Sequence, residues 1–305
     1  MFDYLYKVVV WPFSLCNDEV HITYRIPYII YSTLYSISYI DISLSSEEMT
    51  VIRPIIAFGN QKGGVGKTTS TINVGACLAE EGRKTLICDL DPQGSCSLGL
   101  GIDSYGLERT MHDVLCKNER AETAIVPTEI RNLDLLPSNI DLSAAEYELI
   151  SVIRREEIFK QKIMSVIDGY DFVVCDLPPS LGILTINGLA ASTHLIVPVE
   201  CEFYSMAGVK MMMQLRDLVG NRLGHTLKTN FLLTKFDSRT RLSSEVSDMI
   251  RQNFKEQVFE TAIPRAVKVA ESPSHGKPVV LYDTESPASV AYRKLVKEEV
   301  LKFAE

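Results

Sequence analysis

Short runs of apolar residues alternate along most of the chain with longer stretches whose apolar positions recur at helical spacing. The runs near 55–59, 85–89, 133–136, 172–176, 194–199 and 229–234 are brief and almost uniformly apolar, which predicts strands buried on both faces. Helical patterns separate most of them. That order predicts an α/β fold, a doubly wound, mostly parallel sheet with helices on both faces. Ser143 with Glu146 predicts a capping box, and Gly82 a left-handed stop to the helix that begins near Lys67.

Composition narrows the class. With 305 residues, 46% hydrophobic and 23% charged, the chain reads as an ordinary globular protein able to bury a sizeable core. A net charge of -8 excludes a generally basic coat, so any nucleic-acid surface has to be a local patch. The cysteines at 16, 77, 88, 96, 116, 175 and 201 stand singly with no C-x-x-C pair, which argues against a zinc knuckle or a disulfide framework and fits a reducing cytoplasm. The uncharged run Ile26–Ile40 is interrupted by Pro27 and falls short of the roughly 20 residues a membrane span needs. Asp3 sits where the basic region of a signal peptide belongs, so none is expected.

Residues 1–48 differ from the rest: rich in Tyr, Ile and Ser, free of Gly and Ala, with two basic and six acidic residues. They read as a disordered extension or a misassigned start with Met49 as initiator, a regulatory arm being the alternative. The working domain is expected over 50–305.

The stretch Lys62-Gly63-Gly64-Val65-Gly66-Lys67-Thr68-Thr69 follows the first strand and opens a helix, the place where a phosphate loop lies. Glycines let backbone N–H groups converge on phosphate oxygens, and the helix N-terminus adds partial positive charge. Lys67 is placed to neutralise the β and γ phosphates, and the Thr68 hydroxyl to bind Mg²⁺. The general G-x-x-x-x-G-K-[ST] pattern is not fully met, because Gln61 stands where its first glycine would be. Asp176 ends a buried strand and so delivers a lone carboxylate to the carboxyl edge of the sheet, where such an acid holds Mg²⁺ through water. Asp89 and Asp91 flank Leu90 at the end of another strand, and one is expected to orient water and the other to act structurally.

KGGVGKTT at 62–69, DLDPQG at 89–94 and VVCDLPPSLG at 173–182 resemble the ParA/Soj branch of the deviant Walker A ATPases, P-loop NTPases that partition chromosomes and plasmids. The likeness continues through LLTKFDSRT at 232–240 and IPRAVKVAESPSHGKPV at 263–279, covering essentially all of 50–305. It implies ATP and Mg²⁺ as cofactors and slow, partner-stimulated ATP hydrolysis by a cytoplasmic, nucleoid-associated protein. By the same resemblance, Lys62 reaches across an ATP-bound homodimer to the partner's phosphates, Asp91 positions the attacking water, and Asp91, Asp176 and Thr68 attend the metal. Gln61 is then no objection, since this family's loop is built on the lysine at 62. Nonspecific DNA binding maps to Arg239, Arg241, Arg265 and Lys268, and a ParB-like centromere-binding protein is the implied partner. The interval 235–277 holds eight basic and six acidic residues, a weak local excess that agrees.

Rival members of the superfamily fit less well. A MinD-like membrane switch needs a basic amphipathic C-terminal helix, whereas Ala291–Glu305 mixes Lys294, Lys297 and Lys302 with Glu298, Glu299 and Glu305 and reads as a packed helix. An iron-sulfur relative needs paired cysteines, and Cys96 and Cys175 read as small buried residues. A ParA-like ATPase that positions other cargo on the nucleoid stays open. His112, His194, His225 and His275 have no metal-like spacing among themselves and are expected at packing or surface positions, and the Met211–Met213 run in the core.

Overall fold

Four residues, Ile55–Phe58, set the plan of the domain, because alternate side chains of a strand face opposite sides of its sheet. Ile55 and Ala57 join a core layer with Leu184, Leu189, Val209 and Met212, while Ile56 and Phe58 join a second with Ile72, Val74 and Leu78. A fully buried side chain of this size stabilises the fold by about 1.5–3 kcal/mol, so both faces must be covered.

The computed structural model describes residues 22–29, 37–44, 53–202 and 205–305. The chain divides into two units, Met1–Ile52 and Arg53–Glu305. In the first, β1 (Ile22–Ile29) and β2 (Ile37–Leu44) pair antiparallel, with Ile22 opposite Leu44. The remainder of the expected extension, and Met49 with it, lies outside the described residues.

In the second unit, β3 (Ile55–Phe58), β4 (Thr85–Asp89), β5 (Val126–Pro127), β6 (Leu133–Leu136), β7 (Phe172–Asp176), β8 (His194–Glu200) and β9 (Lys228–Thr234) form one sheet in the order β5-β6-β4-β7-β3-β8-β9. Every neighbouring pair is parallel except β5 with β6 at the edge. This is the doubly wound, mostly parallel sheet the alternation implied. The chain leaves β3 toward β4 on one side and later builds β8 on the other, so the carboxyl end of β3 is a topological switch point. In register, Phe58 and Asp89 both sit beside Asp176, which gathers the phosphate loop and two carboxylates at one edge.

The local helix signals are met in part. The helix Lys67–Glu80 closes at Gly82, whose φ of 80° is left-handed. The capping box at Ser143 and Glu146 does not form: Ser143 Oγ donates back to the Ile140 carbonyl at 2.6 Å, and Glu146 accepts from the Ile183 N–H at 3.3 Å. A carboxylate is stabilised by the N-terminus of the nine-residue helix Ile183–Ala191 more than by its own single turn. A capping box appears instead at Thr110 and Asp113, starting the helix Met111–Cys116.

Only Met212 of the methionine run is fully in the core; Met211 is exposed, as consecutive helical residues point about 100° apart. The C-terminal segment packs as expected, with Tyr292, Leu295, Val296 and Val300 buried and Arg293 paired to Glu80 at 2.8 Å. Among the described residues, no helix is long and apolar enough to cross a membrane.

Candidate functional site

Beyond Phe58 the chain must turn from a buried strand into a helix, and two clamps hold that turn. Asn60, buried, donates from Nδ2 to the Pro198 carbonyl at 2.7 Å and accepts from the Lys62 N–H at 3.0 Å. At the far side the Val65 carbonyl accepts from Thr234 Oγ1 at 2.8 Å, so the ends of β8 and β9 fix the loop. Between the clamps, Gly64 and Gly66 have φ of 74° and 91°, and the space a Cβ would take at Gly63 or Gly64 is open to 4 Å. Side chains at 63 or 64 would fill the cradle, and at 64 or 66 would strain the backbone.

The two loop lysines have different environments. Lys67 is buried, its Nζ 3.4 Å from the Lys62 carbonyl; burial pulls its ammonium below the ordinary lysine range, opposed by the charges of Asp176 and Asp91. Lys62 is partly exposed and turns away, its Nζ 3.0 Å from Glu200 Oε2 and 3.3 Å from Glu202 Oε2. Glu200 also holds Lys235 at 2.8 Å, and Lys235 adopts a left-handed φ of 50° there. Burial raises the Glu200 carboxyl, but hydrogen bonds from Lys235 and Lys62 leave it below the usual range.

Carboxylates line the other wall. Asp176, wholly buried, accepts from Thr68 Oγ1 at 2.6 Å and from Thr71 Oγ1 at 3.4 Å. Asp89 is equally buried but spent on the backbone, accepting from the N–H groups of Asp91 and Cys96 at 3.0 and 3.1 Å. Asp91, also buried, accepts from the Gln93 N–H on Oδ1 at 3.0 Å. Asp89 thus shapes the loop backbone, while Asp91, past the end of β4, lies near enough to Lys67 and Asp176 for its charge to act on both. Cys96 and Cys175 are buried, and Cys96 Sγ lies 3.6 Å from Asp176 Oδ2.

These groups fit Mg²⁺ and a nucleotide triphosphate. The Thr68 hydroxyl and the Asp176 carboxylate are hard oxygen donors side by side at a helix N-terminus. Burial pushes the Asp176 carboxyl up to about 7, helped by the Asp91 charge, against lowering by Thr68, Lys67 and Cys96. A cation would relieve that burial cost.

One pH effect follows. Asp176 binds its proton more tightly folded than unfolded, so its contribution to the stability of the nucleotide-free protein is complete below the unfolded carboxylate range and lost as pH rises through about 7. Mg²⁺ requires the ionised form, so the magnesium dependence of ADP affinity should strengthen between about pH 6 and about pH 8. Calorimetric titration with and without Mg²⁺ checks this, and a pH-independent magnesium effect would contradict it.

The expected DNA residues lie on two joined segments, bridged where Phe236 pairs with Pro264 and the Arg265 N–H donates to the Phe236 carbonyl at 3.0 Å. All four are exposed. Arg239 pairs with Asp237, Arg241 with Glu245 and Lys268 with Glu271, at 2.8, 2.8 and 2.9 Å. His194 stacks on Phe303 and His225 meets the Ser192 carbonyl, both packing positions, while His275 stacks on Tyr282 at the surface.

Sequence reasoning missed Asn60, Glu200, Thr234 and Lys235. Glu200 carried the signal that exposed Asp176, a buried strand ending in a carboxylate; β8 runs one residue past the apolar run read from the sequence.

The fold and the loop define a P-loop ATPase, with a site that takes ATP and Mg²⁺. Residues 53–229 match the family model described as an AAA domain. The chain is 43% identical over 245 residues to the sporulation initiation inhibitor protein Soj of Bacillus subtilis, spanning 80% of this chain and 97% of that protein. It is 41% identical to the chromosome partitioning protein ParA of Myxococcus xanthus, over 80% of this chain and 87% of that one. A Mycobacterium smegmatis structure described as cobyrinic acid a,c-diamide synthase with ADP and magnesium superposes with a TM-score of 0.73 at 34% identity, covering 82% and 95% of the chains. The Pyrococcus horikoshii septum site-determining protein MinD with Mg-ADP gives 0.66 at 26%, covering 83% and 98%. The chain belongs to the ParA/Soj family of ATPases.

Proposed function

We propose that this protein is a partition ATPase whose ATP-bound homodimer holds DNA nonspecifically and lets go when a ParB-like centromere-binding partner stimulates hydrolysis. The observation that carries the reading is the separation of the two loop lysines. Lys67 is committed to its own cleft, while Lys62 stands at the rim on a carboxylate it can leave. The close relation to proteins named Soj and ParA supports the same reading.

Mg²⁺, held by Thr68 and Asp176 with Asp91 in reach through water, would neutralise phosphate charge when bound. The chain's own groups do the rest. Open backbone N–H groups of residues 63–66 cradle the phosphates, Lys67 neutralises the β and γ oxygens, and Thr69 continues the helix N-terminus beside them. Asp91, whose charge acts on Lys67 and Asp176, orients water. Lys62 supplies charge to the facing subunit. The buried C-terminal helix face favours this reading over a MinD-like membrane switch, because its apolar side chains are already packed.

Lys62→Ala is the direct test. It should bind ATP close to normally yet stay monomeric by size-exclusion chromatography with ATP, because Lys67 and the backbone cradle hold the nucleotide in its own subunit while the lost charge serves the facing one. Dimerisation equal to the parent's would refute the role. A second expectation concerns DNA. Arg239→Glu with Lys268→Glu should abolish ATP-dependent retention on DNA and leave nucleotide binding intact, since phosphate contacts dominate nonspecific affinity. Retention unchanged at low salt would remove these residues from the DNA surface. Their acid partners predict weak binding by the monomer, with doubling of the patch in a dimer restoring it.

A further inference from the structure

His112 departs from the other histidines. It lies four residues before Cys116 on the helix Met111–Cys116, so both side chains share one face. The end of the short helix Ala145–Glu148 meets that face, placing His112 Nε2 3.1 Å from Glu148 Oε2. One imidazole nitrogen, one sulfur and one carboxylate oxygen lie within 4.8 Å of one another. A tetrahedral ion with bonds of about 2.0–2.3 Å separates its ligands by about 3.3–3.8 Å, a closure that side-chain rotation supplies.

We propose that His112, Cys116 and Glu148 form a binding site for a borderline transition-metal dication of the zinc type. The donor set selects the ion: nitrogen and sulfur suit zinc, whereas Mg²⁺ demands oxygens. Three protein ligands leave a fourth position for water, and a cavity of about 570 Å³ lined by His112, Lys117, Ile140, Asp141 and Ser143 opens beside the imidazole. Lys117, whose positive charge acts on Cys116, is held by Asp113 at 2.9 Å. Without an ion, burial and then the Glu148 hydrogen bond push the Cys116 thiol up to about 12; an ion would displace its proton. Bound there, the ion ties the helix Met111–Cys116 to the turn whose Glu146 caps the helix following Asp176.

The full chain, stripped with a chelator, desalted and saturated with Mg·ADP, is titrated with Zn²⁺ against a chromogenic indicator and, separately, with Co²⁺. One Zn²⁺ per chain is expected, with a thiolate-to-cobalt charge-transfer band in the near ultraviolet. Cys116→Ser should lose the band, and His112→Ala or Glu148→Gln should weaken Zn²⁺ binding about tenfold or more. Cys96→Ser, altered at the phosphate site, should keep both signals. No stoichiometric Zn²⁺, a band that survives Cys116→Ser, or a band lost in Cys96→Ser would overturn the proposal. Glu148 is exposed at the end of its helix, so its variant reports on binding without loss of the fold. Unchanged Mg·ADP affinity in the Cys116 variant keeps this result separate from the ATPase reading.

Discussion

Lys67→Ala should lower ATP and ADP affinity by about 100-fold or more while leaving the fold intact. The Lys67 ammonium is buried beside two carboxylates, Asp176 and Asp91, whose charges otherwise oppose an entering phosphate. A hydrogen bond to a charged group contributes about 1.5–3 kcal/mol, and each 1.4 kcal/mol is tenfold in affinity. Removing the ammonium's hydrogen bonds to the β and γ phosphate oxygens, with the acids left uncompensated, reaches that figure. The helix Lys67–Glu80 is held from its other side, through Ser70 against Tyr292 at 3.1 Å and Glu80 against Arg293, so the far-ultraviolet circular dichroism should not change. Calorimetric titration measures the loss. A decrease of less than about threefold would mean that the backbone cradle alone carries the phosphates.

Asp91→Ala should separate binding from turnover. Among the described residues, the Asp91 side chain accepts only from the Gln93 N–H, while Asp89 and the Ser138 hydroxyl hold the surrounding backbone, so its removal leaves the cleft wall in place. ATP affinity should stay within about threefold of the parent, whereas hydrolysis should fall by about 10²–10⁴-fold, the usual contribution of a positioned general base. The variant should then accumulate as an ATP dimer on DNA. Phosphate release in the presence of DNA, run beside size-exclusion chromatography, tests both halves. Normal phosphate release would move the water-positioning role elsewhere. A collapse of affinity with hydrolysis would instead make Asp91 part of the binding site.

Much of this was legible in the linear order of residues. Each central strand is an apolar run buried on both faces, as at Ile55–Phe58 and Phe172–Asp176, and such runs need no knowledge of their neighbours to be recognised. The phosphate loop was legible for a similar reason: its glycines and the lysine and threonine after them meet demands made by the local backbone. The resemblance to ParA and Soj rested on those same segments. What depended on residues far apart was not legible. The contact of Lys62 with Glu200 spans 138 positions and that of Thr234 with Val65 spans 169, and no local pattern announces a partner at that distance. Glu146 looked like the cap of its own turn until tertiary packing brought the start of another helix to it. Nothing in the sequence paired His112 with Cys116; the helix Met111–Cys116 puts them on one face, and Glu148, from another helix, turns that face into a candidate site. Backbone conformation is set within a few residues, so the chain order carries it; the pairing of charges and ligands is set by how β3, β8 and β9 and their helices pack, and only the folded structure decides it.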